Sequence, residues 1–350
     1  MRGAERTFAE MSACWPDAPI YTLLHDSDGA TSFAGREIHT SYLQRLGVDQ
    51  KRFRYLLPLF PRAVEHLPMA DYDVIVSSSS AFAHGVRPHP GALHVCYCHS
   101  PFRYAWFERD RAMSETPRLA RPLMRRTLEN IRRWDVAASG RVTHFVANSK
   151  ITRERIGQFY GVDAEVVYPP VAVERLSIGE PQDYLLFVGQ LVRHKRVDVA
   201  IEAAGLAGRE IKIVGDGPER PALEARFGDG RGVQFLGSVT DERLAELYGN
   251  CLALVVPNVE EFGIAAVEAQ AAGRPVVGVR DGGVRETVID GETGVLVDGG
   301  TTASLAEALH DVDFGRFDPE TIRSHSQRFS PASFRNRIRS IVDRRRETYL

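Results

Sequence analysis

The sequence predicts an α/β protein made of doubly wound parallel sheets in two domains. Three observations carry this. In the second half, short runs rich in Val, Ile and Leu alternate with amphipathic stretches, the pattern of parallel strands covered by helices on both faces. The first half repeats the alternation less regularly. The length, 350 residues, accommodates two domains of ordinary size.

From the N-terminus, AERTFAEMSA (4–13) reads as a helix and APIYTLL (18–24) as a strand. Further strands are DVIVSSS (73–79), LHVCYCHS (93–100), THFVANS (143–149) and EVVYPP (165–170), with a long basic helical stretch from Arg118 to Ala138 among them. Pro169-Pro170 stiffens the chain where one α/β unit ends and another begins. The boundary is expected within 170–181, giving domains 1–173 and 174–326. A 327–350 tail carries a charged helix, Pro331 to Thr348, expected to return to the N-terminal domain. Strands of the second domain are DYLLFVG (183–189), EIKIVG (210–215), VQFLG (233–237), LALVVP (252–257), PVVGV (275–279) and GVLVD (294–298). RVDVAIEAAGLA, RPALEARF, DERLAELYGN, IAAVEAQAA and ASLAEALHDV are the helices beside them. Two such domains are expected to face each other, with ligands in the cleft at the carboxyl ends of both sheets.

Composition narrows the function. Hydrophobic residues make up 43% and charged residues 26%, and the net charge of -2 gives no reason to expect a nucleic-acid partner. Cys14, Cys96, Cys98 and Cys251 lack CxxC spacing and read as reduced core residues, which implies a reducing compartment. No run reaches the ~20 apolar residues of a membrane span, and the opening MRGAERTFAEM is polar, unlike a secretory leader. A cytoplasmic location is expected, with peripheral contact at the inner membrane face as an extension. Neither internal repeats nor low-complexity tracts are evident.

Three strand ends carry chemistry. In FVGQLVRHKRVD (187–198), a helix is expected to begin near Lys195. A cation at a helix N-terminus is unfavourable unless an anion sits there too; the alternative is a solvated basic loop. In IVGDGPE (213–219), Gly215 and Gly217 flank Asp216, a weak G-x-G signal that by itself reads first as a plain strand-to-helix turn. In VEEFGIAAVEAQAAGRPVV (259–277), Phe262-Gly263-Ile264 leads into a helix whose first N–H groups can meet an anion or sugar hydroxyls. Glu260 precedes that helix and, with Glu261, suits its dipole. Glu268 lies more than a turn inside it, among Ile264, Ala265 and Ala272, and needs a hydrogen-bonding partner there.

The spacing of Glu260 and Glu268 resembles the E-x7-E motif of the retaining GT-B glycosyltransferases of family 4. The order of segments matches as well: GQLVRHKRVD, VGDGPE, VQFLGSVTDERLAELY, EEFGIAAVEAQAAGRPV and GGVRETVIDGETGVLV. In the first half, GAER, CYCHSPFRYAW and FVANS resemble the bacterial mannosyltransferase-like branch that builds cell-surface polysaccharides. The resemblance implies a GT-B fold and transfer of a hexose, mannose favoured, with retention. The donor it implies is a nucleotide sugar, GDP-mannose or a UDP-sugar, with neither metal nor cofactor.

It also assigns roles. Glu268 would bind the donor ribose, Glu260 the hydroxyls of the transferred sugar, and the Phe262, Gly263 and Ile264 backbone the sugar and phosphates. Lys195 would stabilise the diphosphate leaving group, with Gly189 and Gln190 beside it, and Gly215 and Gly217 would border the nucleoside. On the acceptor side, His99 would face the reacting carbon, where the alternative is a core histidine. Gly3 would belong to a glycine loop, and Ser149 would lie at another cleft-facing strand end.

The chain departs from the family pattern twice. Gln190 stands where many relatives carry arginine, and Arg193 or Arg196 is the expected substitute. The family fold also places a strand before the Gly-Ala-Glu loop, whereas this chain opens at Met1-Arg2-Gly3. The first strand is therefore expected to be missing, and the natural protein to begin roughly 10–20 residues upstream with an apolar strand.

Asp71-Tyr72-Asp73 has Asp-x-Asp spacing but precedes a strand and reads as a turn. The acceptor would be a glycan or a polyprenyl-diphosphate-linked sugar. Arg118, Arg121, Arg125, Arg126, Arg132 and Arg133 form either a solvated face or a contact with anionic headgroups. Two other readings compete: a non-catalytic nucleotide-sugar or glycan-binding paralogue, and a GT-B epimerase or phosphorylase.

Overall fold

The computed structural model describes residues 3–26, 33–46, 53–228 and 232–349. The chain forms two compact units, one of 1–168 with 334–350 and the other of 169–333. The switch falls between Tyr168 and Pro169, inside the Pro-Pro segment and ahead of the 173/174 boundary read from the sequence.

In the first unit, β1 (Ile20–Thr22) and β2 (Ile38–Thr40) form a separate parallel pair. The main sheet is β3 (Val74–Ser79), β4 (Leu93–Cys98), β5 (His144–Ala147) and β6 (Ala164–Val166), parallel and in that order. Every residue of β4 is buried, because both faces are covered. Leu93, Val95 and Tyr97 pack with Met11 of helix Gly3–Ser12 and with Phe334, Ile338, Ile341 and Val342 of helix Pro331–Tyr349. Cys96 and Cys98 point to the other face with Phe145 and Ile156. All four cysteines are buried and none forms a disulfide.

In the second unit, six parallel strands are ordered β12-β11-β10-β7-β8-β9. They are β7 (Tyr184–Val188), β8 (Glu210–Val214), β9 (Val233–Gly237), β10 (Ala253–Val256), β11 (Val276–Val279) and β12 (Gly294–Val297). On one face Leu185, Phe187, Ile211, Ile213, Ala253, Val255 and Val277 pack under helices Val197–Leu206 and Thr302–Asp311. Ala200, Ala203 and Ala204 are fully buried there and let the first of these helices lie close to the sheet. Chain order reverses between β7 and β10, which pair directly through Leu185 with Ala253 and Leu186 with Leu254. That junction is the topological switch point of the unit, where doubly wound sheets open a crevice at the carboxyl ends of their strands.

All six strands of this unit coincide with those expected to within two residues at either end. Helices Arg220–Phe227 and Asp241–Asn250 coincide fully. The helix expected near Lys195 starts at Val197: Arg193–Lys195 is a single 3₁₀ turn, and Arg196 follows at φ 52° and ψ 42°. Arg196 is the one non-glycine residue with positive φ among the described residues. The chain must reverse sharply from the β7 loop into the helix, and this left-handed residue makes the reversal. The short strand β2 was not expected; with three residues it is too brief to show an alternating pattern.

Candidate active site

The loops after β7, β8 and β10 interlock at the switch point. Leu191 N–H donates to Asp216 O at 2.9 Å and Glu219 N–H to Leu191 O at 3.1 Å, tying the first two loops together. Gly215 makes this possible. Its φ is 129°, and a Cβ there would sit 1.9 Å from the Gly189 carbonyl oxygen; no side chain fits. Gly217 likewise lies against the Leu191 backbone. The Arg196 guanidinium donates to Pro257 O at 3.3 Å, joining the β7 loop to the end of β10. Arg193 is exposed, as is Gln190.

Lys195 and Glu260 meet across this junction. The ammonium donates to Glu260 Oε1, and each side chain keeps 23% of its surface exposed. Asn258, 3% exposed, donates from Nδ2 to the same oxygen at 2.9 Å. The Glu260 backbone is held as well: its carbonyl accepts from Gly283 N–H at 2.6 Å. The carboxylate is thus held by two donors on one oxygen, and the backbone behind it by a third, while the side chain stays partly exposed.

Two residues beyond Glu261, Gly263 takes φ 85° and starts helix Ile264–Ala271 without a side-chain cap. The left-handed conformation swings the chain from the loop into the helix, and glycine adopts it without strain. Ala266 and Val267 N–H donate to Gly263 O at 3.0 and 3.4 Å, so the N–H groups of Ile264 and Ala265 are the ones left without a carbonyl inside the helix. With Lys195 beside them, they form the anion-receptive part of the site. Phe262 is buried and stacks edge-on with Phe329 at 5.6 Å, which fixes the loop from below.

Glu268 has the partner its position demands. The Tyr248 hydroxyl donates to Glu268 Oε2 at 2.7 Å, and Tyr248 is fully buried on helix Asp241–Asn250. Sequence reasoning missed both Tyr248 and Asn258. The signal for Tyr248 was present: a carboxylate inside an apolar helix requires a donor, and DERLAELYGN puts Leu244, Leu247 and Tyr248 on one face.

The second unit therefore brings together Gly189, Gln190, Lys195, Gly215, Gly217, Glu260, Phe262, Gly263 and Ile264 at the ends of β7, β8 and β10, with Glu268 one turn deeper. The residues expected on the acceptor side belong to the first unit. Gly3 is the first residue of helix Gly3–Ser12, a helix start rather than a loop position. His99 follows β4, is 9% exposed, and is hydrogen-bonded through Nε2 to Ser78 Oγ at 2.9 Å. Burial pushes its imidazole down to about 4, and the nearby Arg103 charge adds to the shift. Ser149 is fully buried and caps helix Lys150–Tyr160 by accepting from Thr152 N–H at 3.3 Å. Its hydroxyl donates to Asn148 Oδ1 at 3.0 Å, so the cap accounts for this residue.

The three serines of β3 each hold a different histidine. Ser77 meets His94 at 2.8 Å, Ser78 meets His99, and Ser79 meets His84 at 3.2 Å. His84 in turn lies 3.2 Å from Asp135. This Ser-His-Asp line has the composition of a hydrolase triad, but Ser79 and His84 are 2% exposed and Asp135 is fully buried. Asp135 also accepts from Trp106 Nε1 at 2.7 Å and from the Tyr160 hydroxyl at 2.8 Å. The arrangement braces the fold and leaves no room for a substrate. Asp71 lies in a turn, as its sequence context suggested, and Asp73 faces His89 at 3.2 Å.

Comparison with known proteins agrees with this architecture. Residues 1–175 match the family described as Glycosyltransferase Family 4, and residues 172–312 match that described as Glycosyl transferases group 1. The chain is 34% identical over 218 residues to a D-inositol 3-phosphate glycosyltransferase of Nocardia farcinica, covering 58% of this chain and 44% of that protein. It is 30% identical over 185 residues to an uncharacterised glycosyltransferase of Methanocaldococcus jannaschii, covering 52% and 53%. The chain thus spans about half the length of these curated relatives. Among solved structures, Anabaena HepE in complex with UDP superposes with a TM-score of 0.70 at 17% identity, covering 98% of this chain and 96% of HepE. The sucrose-phosphate synthase of Thermosynechococcus elongatus gives 0.66 at 18% identity, covering 88% and 82%. Both likenesses are of fold: two Rossmann-like α/β domains of the GT-B type. With the match to family 4 over 1–175 spanning half of its length and the group 1 match continuing to residue 312, the chain belongs to the family 4, group 1 glycosyltransferases.

Proposed function

We propose that this protein transfers a hexosyl group from a nucleotide-sugar donor to a glycan or polyprenyl-diphosphate-linked acceptor, with retention at the anomeric carbon. The observation that carries the reading is the pairing of Lys195 with Glu260 at the switch point, beside the uncapped start of helix Ile264–Ala271. A diphosphate entering there takes Lys195 as its counter-ion and the helix N–H groups as donors. Glu260, released from the ammonium and still held by Asn258, accepts from sugar hydroxyls. Glu268, oriented by Tyr248, receives the ribose hydroxyls. As the bond from the anomeric carbon to the diphosphate oxygen breaks, negative charge grows on the leaving group, and Lys195 stabilises it more in the transition state than in the ground state.

A UDP-sugar is the first donor to test, since HepE was solved with UDP and with UDP-glucose; GDP-mannose, favoured by the mannosyltransferase-like segments, is the second. Neither metal nor cofactor is invoked, and a role in cell-surface polysaccharide synthesis follows from the proposed acceptor. The sequence relatives favour a second reading of the acceptor, a phosphorylated inositol. Incubation with UDP- and GDP-sugars and a panel of glycan, lipid-linked and inositol phosphate acceptors, with the product anomer assigned by NMR, tests both. Donor binding without transfer to any acceptor would instead mark a binding paralogue; an inverted product anomer would remove retention.

A further inference from the structure

Helix Arg121–Ser139 buries Leu128, Ile131, Asp135 and Ala138 within the first unit. Its N-terminal end, with the short turn Arg118–Ala120 before it, does the reverse. Leu119 is 100% exposed and Leu123, four residues on, is 70% exposed, with exposed Pro122 between them. Arg118, Arg125 and Arg126 flank this tip, are exposed, and form no ion pair with any described residue. The charge is local. The whole chain carries -2, yet the stretch from 118 to 133 holds six arginines and a single acid. That acid, Glu129, is engaged at 2.6 Å by Arg109 from outside the stretch.

Single exposed leucines are ordinary on a protein surface, and so is a solvated arginine. Their combination at the end of a rigid helix is what an interfacial element requires. The leucines can enter the acyl boundary while arginine stems lie along it and guanidinium groups meet lipid phosphates. An acidic protein partner would satisfy the arginines but not two leucines, one wholly and one largely in water. We propose that the tip 118–126 docks on an anionic lipid surface, with Leu119 and Leu123 inserting and Arg118, Arg125 and Arg126 binding headgroup phosphates. The proposal rests on this surface alone and is tested without any sugar donor.

The test is co-sedimentation of the full chain with vesicles of phosphatidylglycerol mixed into phosphatidylcholine, against vesicles of phosphatidylcholine alone. Binding is expected to the anionic vesicles only and to weaken with salt. Replacing all three arginines with alanine should reduce it on the order of a hundredfold. Leu119→Ser with Leu123→Ser should reduce it severalfold although every charge remains. Melting temperatures should match the parent, since all five side chains are exposed. Failure of the parent to bind anionic vesicles, or undiminished binding by both variants, overturns the proposal. It is equally overturned if the leucine variant converts a dimer into a monomer in sedimentation velocity while vesicle binding is unchanged, because the tip is then a contact between copies.

Discussion

Lys195 and Glu260 lie 65 residues apart in sequence and form an ion pair where β7 and β10 adjoin. The pair keeps a cation and a carboxylate in register at the strand ends, partly open to solvent. If the cation serves the leaving diphosphate, Lys195→Ala should lower kcat by about 10²–10³-fold, the range seen when a transition-state donor is removed. Nucleoside diphosphate affinity should fall less. Lys195→Arg should recover only part, because a planar guanidinium does not replace a compact ammonium. Steady-state kinetics with isothermal calorimetry provide the check; wild-type turnover in Lys195→Ala would transfer the anion role to Arg193 or Arg196.

Tyr248 and Glu268 offer a second test. Glu268→Ala should weaken nucleoside diphosphate binding by about 1.5–3 kcal/mol, the worth of hydrogen bonds to a charged acceptor. Tyr248→Phe removes one hydroxyl and should cost about 0.5–1.5 kcal/mol by loosening the carboxylate. Both losses should largely vanish when a nucleotide lacking the ribose hydroxyls is titrated instead. Equal losses for the ribose and deoxyribose forms would take Glu268 away from the ribose.

The buried imidazoles set a pH dependence. His94 and His99 are both lowered to about 4, chiefly by burial. Their folded values lie below the unfolded value of 6.5, so the unfolded chain binds more protons between these limits. The stability tied to their neutral form is full above about pH 6.5 and is lost as the pH falls through about 4, on the order of 3 kcal/mol for each. Urea unfolding at neutral pH and at about pH 5 should show this slope, and His94→Gln should flatten it. For the same reason the profile of kcat/KM should show no limb near 6.5 from His99; such a limb that disappears in His99→Asn would contradict its neutral state.

Asp135 carries the brace of the first unit. It is fully buried and engages His84, Trp106 and Tyr160 at once. Asp135→Ala should destabilise the chain by about 3–5 kcal/mol, because an indole N–H and a phenol lose their common acceptor and the buried imidazole loses the carboxylate beside it. Chemical denaturation measures this, and a loss under about 1 kcal/mol would mean that the network relaxes around the gap.

Much of the second unit was legible from sequence because four of its strands, β7, β10, β11 and β12, are continuous apolar runs, and amphipathic helices separate the strands. These are local patterns, set by which side chains must leave water. β2 and the short helices of the first unit were less legible: three or four residues do not complete a period. The candidate residues were legible where their type conflicted with their surroundings, as Glu268 does inside an alanine-rich helix. Tyr248 and Asn258 stayed hidden because nothing in their own segments is unusual.

By itself, then, the sequence determined the class of fold, the strand ends where the candidate residues gather, and the glycines at 215 and 263 that those turns require. Tertiary structure alone decided the partners. Lys195 meets Glu260 because the strand order reverses between β7 and β10. Tyr248 reaches Glu268 because two helices pack on one face, and Ser77 and Ser78 meet His94 and His99 because β3 lies beside β4. The physical reason is one of range. Burial and backbone geometry act on a residue and its near neighbours, whereas hydrogen bonds and ion pairs between distant segments exist only after the sheets have brought them within 3 Å or so.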